Sequence, residues 1–168
     1  MHRLVMVAGV VALLAGCDAP VAQQPAECTM QKVAEMPAHL VGGAVLVPAV
    51  FNHTPMQMQV DTGATLTAVT PDAAIALQLP ADRARRTTVH SAGGTLVTRN
   101  SRVRDFEVGG QMWLDQSLVT SPLAREFQED PPVAGLLGSN YLADFDVELD
   151  VPHGRMALWQ VHDCSGDF

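Results

Sequence analysis

Lysine occurs once in this chain of 168 residues, at Lys32, and its ten Lys/Arg side chains face 18 Asp/Glu, for a formal net charge of −8. A chain so short of cations offers a polyanion little to bind, which excludes nucleic acid as a partner. The apolar run from Leu4 to Leu14 falls well short of the roughly 20 residues a bilayer-spanning helix requires. His39, His53, His90, His153 and His162 sit in predicted turns or strand ends without the spacing of metal ligands, so neither a metal nor another cofactor is expected. No internal repeat occurs. Beyond the first segment about 150 residues remain, enough for one domain with a buried core.

What is present starts with the ends. His2 and Arg3 lead into the apolar run, which closes on small residues, the pattern of an export signal. Leu14-Ala15-Gly16-Cys17 resembles the lipobox of bacterial lipoproteins. That resemblance implies cleavage before Cys17 and lipidation of Cys17 as a membrane anchor; an ordinary secretory signal with an incidental cysteine is the plainer alternative. Asp18 resembles the sorting signal that keeps a lipoprotein in the inner membrane, facing the periplasm. Loss of residues 1–16 removes Arg3 and no acid, leaving nine Lys/Arg against 18 Asp/Glu and a net charge near −9. Lipid, and not a basic patch, would then do the anchoring. Residues 17–37, rich in Ala, Pro and Gln, read as a tether extended by Pro20, Pro25 and Pro37. The domain is expected over 38–161 and a C-terminal tail over 162–168. In an oxidising compartment Cys28 and Cys164 can form a disulfide, contributing roughly 4 to 5 kcal/mol in the chain-entropy model, or they remain two separate thiols.

Between the ends the pattern is one of short strands. Leu40 to Val50 is dominated by β-branched and small apolar residues, with Pro48 marking an edge or bulge. After a turn at Asn52-His53-Thr54-Pro55, Met56, Met58 and Val60 alternate with Gln57 and Gln59, so a half-buried strand runs directly into Asp61. Thr70-Pro71-Asp72 opens a short helix, with Thr70 as N-cap and Ala73, Ala74, Ile75, Leu77 and Leu79 as its apolar residues. Further strands are predicted at Thr87–Val89, Thr95–Val103, Asp105–Val108 and Gln111–Thr120, with turns at Ser91-Ala92-Gly93-Gly94 and Gly109-Gly110. A polar loop from Arg125 to Pro132 precedes Val133-Ala134-Gly135-Leu136-Leu137-Gly138. A short helix at Asn140–Leu142 and strands at Phe145–Val151 and Met156–Val161 complete the chain. Many strands with only two short helices predict an all-β barrel.

A carboxylate doing acid–base work on a water needs a rigid element beneath it and a cleft before it. The strand into Asp61-Thr62-Gly63-Ala64 supplies the first. Thr62 can bond neighbouring backbone, Gly63 lets the chain turn and leaves its N–H to donate to the carboxylate, and Ala64 is too small to block the site. Alone, this short motif equally fits an acid in a turn after a strand. Combined with Ala92-Gly93-Gly94 and with Leu136-Leu137-Gly138 before Asn140–Leu142, it resembles the retropepsin-like aspartic peptidases over about residues 39–160; Phe145 to Asp150 is similar to their bacterial single-domain branch. The resemblance implies a retropepsin-like acid protease barrel with one or two short helices and Asp61 as the catalytic carboxylate. It makes Thr62, Gly63, Ala64, Leu136, Leu137 and Gly138 the supporting loops, and Ala92, Gly93 and Gly94 a flap closing over a polypeptide substrate. Such a peptidase pairs two aspartates, and this chain has a single Asp-Thr-Gly. A homodimer is therefore expected, with Asp61 of each copy meeting at a two-fold axis and Thr62 locking the loops across it.

The activity expected is that of an aspartic endopeptidase. Two other readings stay open: a catalytically silent peptidase-like binding module of the cell envelope, and a structural lipoprotein in which the Asp61 turn is incidental. Asp144, Asp146, Glu148 and Asp150, spaced by two, read as the solvated face of a strand with Phe145, Val147, Leu149 and Val151 opposite. Trp113 and Trp159 read as packing residues.

Overall fold

The computed structural model describes residues 28–91 and 94–162. The expected signal peptide, Cys17, Asp18, the flap residues Ala92 and Gly93, and Cys164 lie outside them. Among the described residues no helix is long and apolar enough to cross a membrane.

The period-two segments form an eight-stranded sheet. Its strands are β2 (His39–Val41), β3 (Ala44–Phe51), β4 (Thr54–Val60), β5 (Ala68–Val69), β6 (Ala81–Ser91), β7 (Gly94–Val108), β8 (Gln111–Thr120) and β9 (Val133–Leu137). Their order is β2-β3-β4-β9-β5-β8-β7-β6, and a further pairing of β3 with β7 curls the sheet onto itself. The β3–β4 hairpin turns through Asn52 and His53 with φ of 47° and 70°, the left-handed pair that matches strand twist. Asn52 Oδ1 also accepts from the backbone N–H of Arg104 and Asp105, fastening this turn to β7. Phe51, Met58, Val69, Val103, Phe106 and Leu137 are fully buried where the layers meet. Gln57 breaks the predicted alternation: it too is buried, its amide donating to the Pro131 carbonyl at 2.9 Å.

Both predicted helices form. In α1 (Pro71–Ala76) the Thr70 hydroxyl accepts from Ala73 N at 3.0 Å and caps the first turn. The apolar stripe differs from expectation, since Ile75 is 75% exposed while Ala73 is buried. The second helix, α2, spans Ser139–Leu142.

Two features depart from the sequence reading. Residues 29–37, expected as the end of a tether, form strand β1 (Thr29–Pro37), which pairs antiparallel along β11 (Arg155–His162). With β10 (Asp146–Asp150) they make a second sheet in the order β1-β11-β10. Only Ala34 and Met36 of β1 are buried, and its partner lies at the other end of the chain, so no local pattern announces it. Cys28, immediately before β1, is disulfide-bonded, which rules out the alternative of a free thiol there. The domain therefore begins at least nine residues earlier than the expected 38, and His162 belongs to a strand and not to the tail. The second departure is the length of β6 and β7. β6 extends well beyond the expected Thr87–Val89 and β7 runs unbroken through Arg104, so the two form one long ribbon exposed on both faces over much of its length, where alternation has no cause.

The acids of β10 are not a free solvated face. Arg155 pairs with Glu148 at 2.8 Å, Asp150 at 3.0 Å and Glu35 of β1 at 3.4 Å, and Trp159 Nε1 donates to Glu148 at 3.0 Å. Leu149, assigned inward, is 40% exposed. One guanidinium thus ties all three strands. The His153 imidazole, and then Arg155, hold the Asp150 carboxyl below its ordinary 3.8. Lys32, and then Arg155, hold Glu35 below 4.5. A carboxyl whose pKa is depressed in the folded state contributes stability above its unfolded value and loses it as pH falls through the folded one. Thermal melting is expected to give a level Tm from pH 7 down to about 5 and a decline below about 4.5. Arg155→Met should shrink that acid decline; an unchanged pH profile in this variant would show that the cluster contributes nothing.

Candidate active site

The site exists because β9 enters between two strands that are neighbours in sequence. On one side it runs parallel to β4, pairing Met58 with Gly135, Gln59 with Leu136 and Val60 with Leu137; on the other it runs antiparallel to β5, pairing Ala68 with Leu136. The segment joining β4 to β5 is therefore splayed open by a third strand, and it is the segment that carries Asp61-Thr62-Gly63-Ala64. Close approach here demands glycine. A Cβ on Gly135 would stand 1.9 Å from the Ala68 carbonyl oxygen, and one on Gly138 2.7 Å from the Leu66 carbonyl carbon.

Asp61 is held at both its backbone and its side chain. Its N–H donates to the Leu137 carbonyl at 3.0 Å, and its own carbonyl accepts from Ala64 N at 3.2 Å. The carboxylate Oδ1 accepts from the N–H groups of Gly63 and Ala64 at 3.1 and 3.2 Å. That occupies one carboxylate oxygen with two donors and fixes the plane of the group. Asp61 is half-buried, while Thr62 and Gly63 are exposed. The carboxylate thus sits at the end of a packed strand with its loop turned outward.

Thr67, which the sequence reading passed over, closes the arrangement. It is 2% exposed; its hydroxyl accepts from Gly138 N at 2.8 Å and donates to Asn140 Oδ1 at 2.9 Å, while its N–H donates to the same oxygen at 2.7 Å. Ser139 N adds a bond to the Ala64 carbonyl at 2.8 Å. Asn140, read only as part of a helix, is the acceptor for both Thr67 donors. The available signal was a single polar residue next to the apolar pair Ala68-Val69. Below α2, Tyr141 meets Phe106 edge-on at 5.3 Å and Trp113 at 4.8 Å, which makes Trp113 a packing residue. Burial pushes the Tyr141 phenol up to about 12, so its hydroxyl stays protonated as donor to Gln116 Oε1.

Of the residues expected at the site, the structure thus brings together Asp61, Gly63, Ala64, Leu136, Leu137 and Gly138, with Thr62 exposed in the same loop. Gly94 opens β7 at the end of the β6–β7 ribbon, with φ 116°. Among the described residues no three His, Cys, Asp or Glu side chains group as metal ligands do.

Residues 47–141, more than half of the chain and including every one of these loops, match the model of the aspartyl protease family. The chain belongs to that family. Its fold is similar to the crystal structure of a retropepsin-like aspartic protease from Rickettsia conorii, with a TM-score of 0.51, 19% identity and coverage of 80% of this chain and 95% of that one. The EIAV protease complexed with the inhibitor HBY-793 aligns at 20% identity over 65% of this chain and 86% of its own, with a TM-score of 0.43. No curated protein matches the chain in sequence. The family membership and the all-β retropepsin-like fold accord with what the motifs implied.

Thr67→Val removes the hydroxyl and leaves the buried Gly138 N–H without its acceptor. It should lower stability by about 1–3 kcal/mol in chemical denaturation, while Thr67→Ser, which keeps the hydroxyl, loses less. Equal losses in the two variants would show that the hydroxyl is not what joins the loops.

Proposed function

We propose that the protein is an aspartic endopeptidase that works as a homodimer, hydrolysing peptide bonds with a water activated between the Asp61 carboxylates of two copies. The observation that carries this reading is the Asp61 carboxylate itself, oriented by Gly63 and Ala64 N–H groups at the end of β4. One carboxylate cannot both take a proton from water and give one to the carbonyl oxygen of the same peptide. Two, close enough that like charge disfavours ionisation of both, share a proton and divide the tasks. A single Asp-Thr-Gly per chain makes the second carboxylate the contribution of another copy. The outward exposure of Thr62 and Gly63 favours such a meeting, because the loop is not covered by its own chain.

In this reading the β6–β7 ribbon closes over the polypeptide as a flap, and Cys17 carries a lipid that anchors the protein to the periplasmic side of the inner membrane, with Asp18 as the retention signal. Confinement to a surface raises the effective concentration for pairing.

Incubated with a peptide library at mildly acid pH, the protein should release products. Asp61→Asn, unchanged in melting temperature, should lower the rate by on the order of 10³-fold. Size measurement on the same samples should place the active species at twice the chain mass. Equal cleavage by both proteins would refute the assignment of Asp61, and a folded monomer without activity would favour the binding module.

A further inference from the structure

Six of the ten Lys/Arg side chains, Arg83, Arg85, Arg86, Arg99, Arg102 and Arg104, fall in one 22-residue stretch without a single acid, in a chain of net charge −8. All six are exposed on the β6–β7 ribbon. Arg86 and Arg99 stand directly opposite each other in the ladder, an arrangement that like charge disfavours. Arg104 pairs with Asp105 at 2.9 Å. The other five make no ion pair with any described residue.

Three of them are gathered into one recess. The register of β6 shifts between Ala81 and Arg86, so residues 82–85 bulge out of the ladder. Arg85, Arg86 and Arg102 then line a cavity of about 650 Å³. The cavity shares Leu66 and Thr67 with the loop that carries Asp61. Two carboxylates also face it. Asp82 is already engaged, accepting from the Ser117 hydroxyl at 2.7 Å and from Ala84 N at 3.0 Å; it also attracts Arg102 and Arg85 but closes an ion pair with neither. Asp115 is exposed at the wall. The amides nearby are satisfied within the protein: Asn100 bonds Thr87 and the Ser117 carbonyl, and Gln116 bonds Tyr141 and the Leu114 carbonyl. What the recess leaves open is guanidinium N–H, five donors on each arginine in a planar fork that fits a carboxylate.

We propose that this cavity is a subsite for an acidic residue of the polypeptide substrate, a Glu or Asp side chain seated against Arg85, Arg86 and Arg102 while the chain lies across the Asp61 loop. The inference rests on the endopeptidase reading and gives it a specificity. A recess admits a side chain with its neighbours, whereas a flat anionic lipid surface would meet only the outer ribbon.

The test uses the purified full-length protein and pairs of peptides identical except for Glu or Gln near the scissile bond. For the wild type, kcat/KM should favour the Glu peptide by about tenfold, the size of one or two charge-assisted hydrogen bonds at a wet site. The preference should reside in KM, weaken with salt, and fade below about pH 4 as the substrate carboxyl protonates. Arg86→Gln combined with Arg102→Gln should bring the ratio toward one, and Lys at the same positions should restore part of it, with melting curves checking the fold of each. Fluorescence anisotropy of the two peptides on Asp61→Asn separates the claims. A Glu preference in binding without cleavage by the wild type keeps the subsite and overturns the endopeptidase. Cleavage with no preference in either assay overturns the subsite alone. Displacement of the Glu peptide by phosphatidylglycerol vesicles, lost in the Arg→Gln variant, would overturn it in favour of a membrane contact.

Discussion

The threading of β9 between β4 and β5 is the constraint on which the rest of the structure depends. Strands adjacent in sequence ordinarily pair, and here the pairing is replaced by two ladders to a strand some 70 residues later, one parallel and one antiparallel. The loop between β4 and β5 has no partner strand of its own and takes its shape from β9 and the turn after it: the Leu137 carbonyl for Asp61, the Gly138 N–H for the Thr67 hydroxyl, and the Asn140 side-chain oxygen for the Thr67 N–H. Bonds spanning 71 to 73 residues form only after that long loop closes. The site is therefore as rigid as the whole domain. It cannot open locally without breaking the bonds that β9 and the turn after it make to the loop, which keeps the plane of the Asp61 carboxylate fixed.

The same topology explains what could be read in the sequence and what could not. Asp61, Gly63 and Ala64 were legible because their interactions lie within four residues: strand, turn, and N–H groups folding back onto the carboxylate. Thr70 as a cap was legible for the same reason. Leu136-Leu137-Gly138 was legible only through family resemblance, since nothing local says that Gly138 must admit the Leu66 backbone. Thr67 and Asn140 escaped because each is meaningful only against the other. Strand β1 escaped because two buried residues, Ala34 and Met36, are too few to mark a period, and its ladder to β11 joins opposite ends of the chain. Strand β6 was read as Thr87–Val89 alone because solvent on both faces erases the alternation that marks a half-buried strand.

The second sheet has a different character from the barrel. Its strands meet the core through Met36, Met156 and Leu158, but its outer face is held by one guanidinium shared among Glu35, Glu148 and Asp150. Exposed pairs of this kind individually contribute little. Their placement matters more than their number, because Arg155 reaches all three acids while Lys32 pairs with Glu35 alone, and loss of Arg155 leaves like charges on adjacent strands. The depressed folded pKa values of Glu35 and Asp150 keep these two carboxylates ionised where ordinary acids begin to titrate.

Charge segregation connects these parts. The body carries most of the acids, and the ribbon proposed as a flap carries six of the ten cations, five of them without an ion pair to any described residue. Within a fixed sequence this costs something: Arg86 and Arg99 repel across the ladder, and neutral side chains would make a steadier hairpin. Solubility does not require it, since net charge is already far from zero. An arrangement that lowers the stability of the ribbon and leaves guanidinium donors open beside a candidate catalytic loop is accounted for if an anion completes it. The acidic body could supply that anion from another copy. The recess is, however, lined by Leu66 and Thr67 of the Asp61 loop, and on the proposed endopeptidase reading the chain that lies across that loop is the substrate.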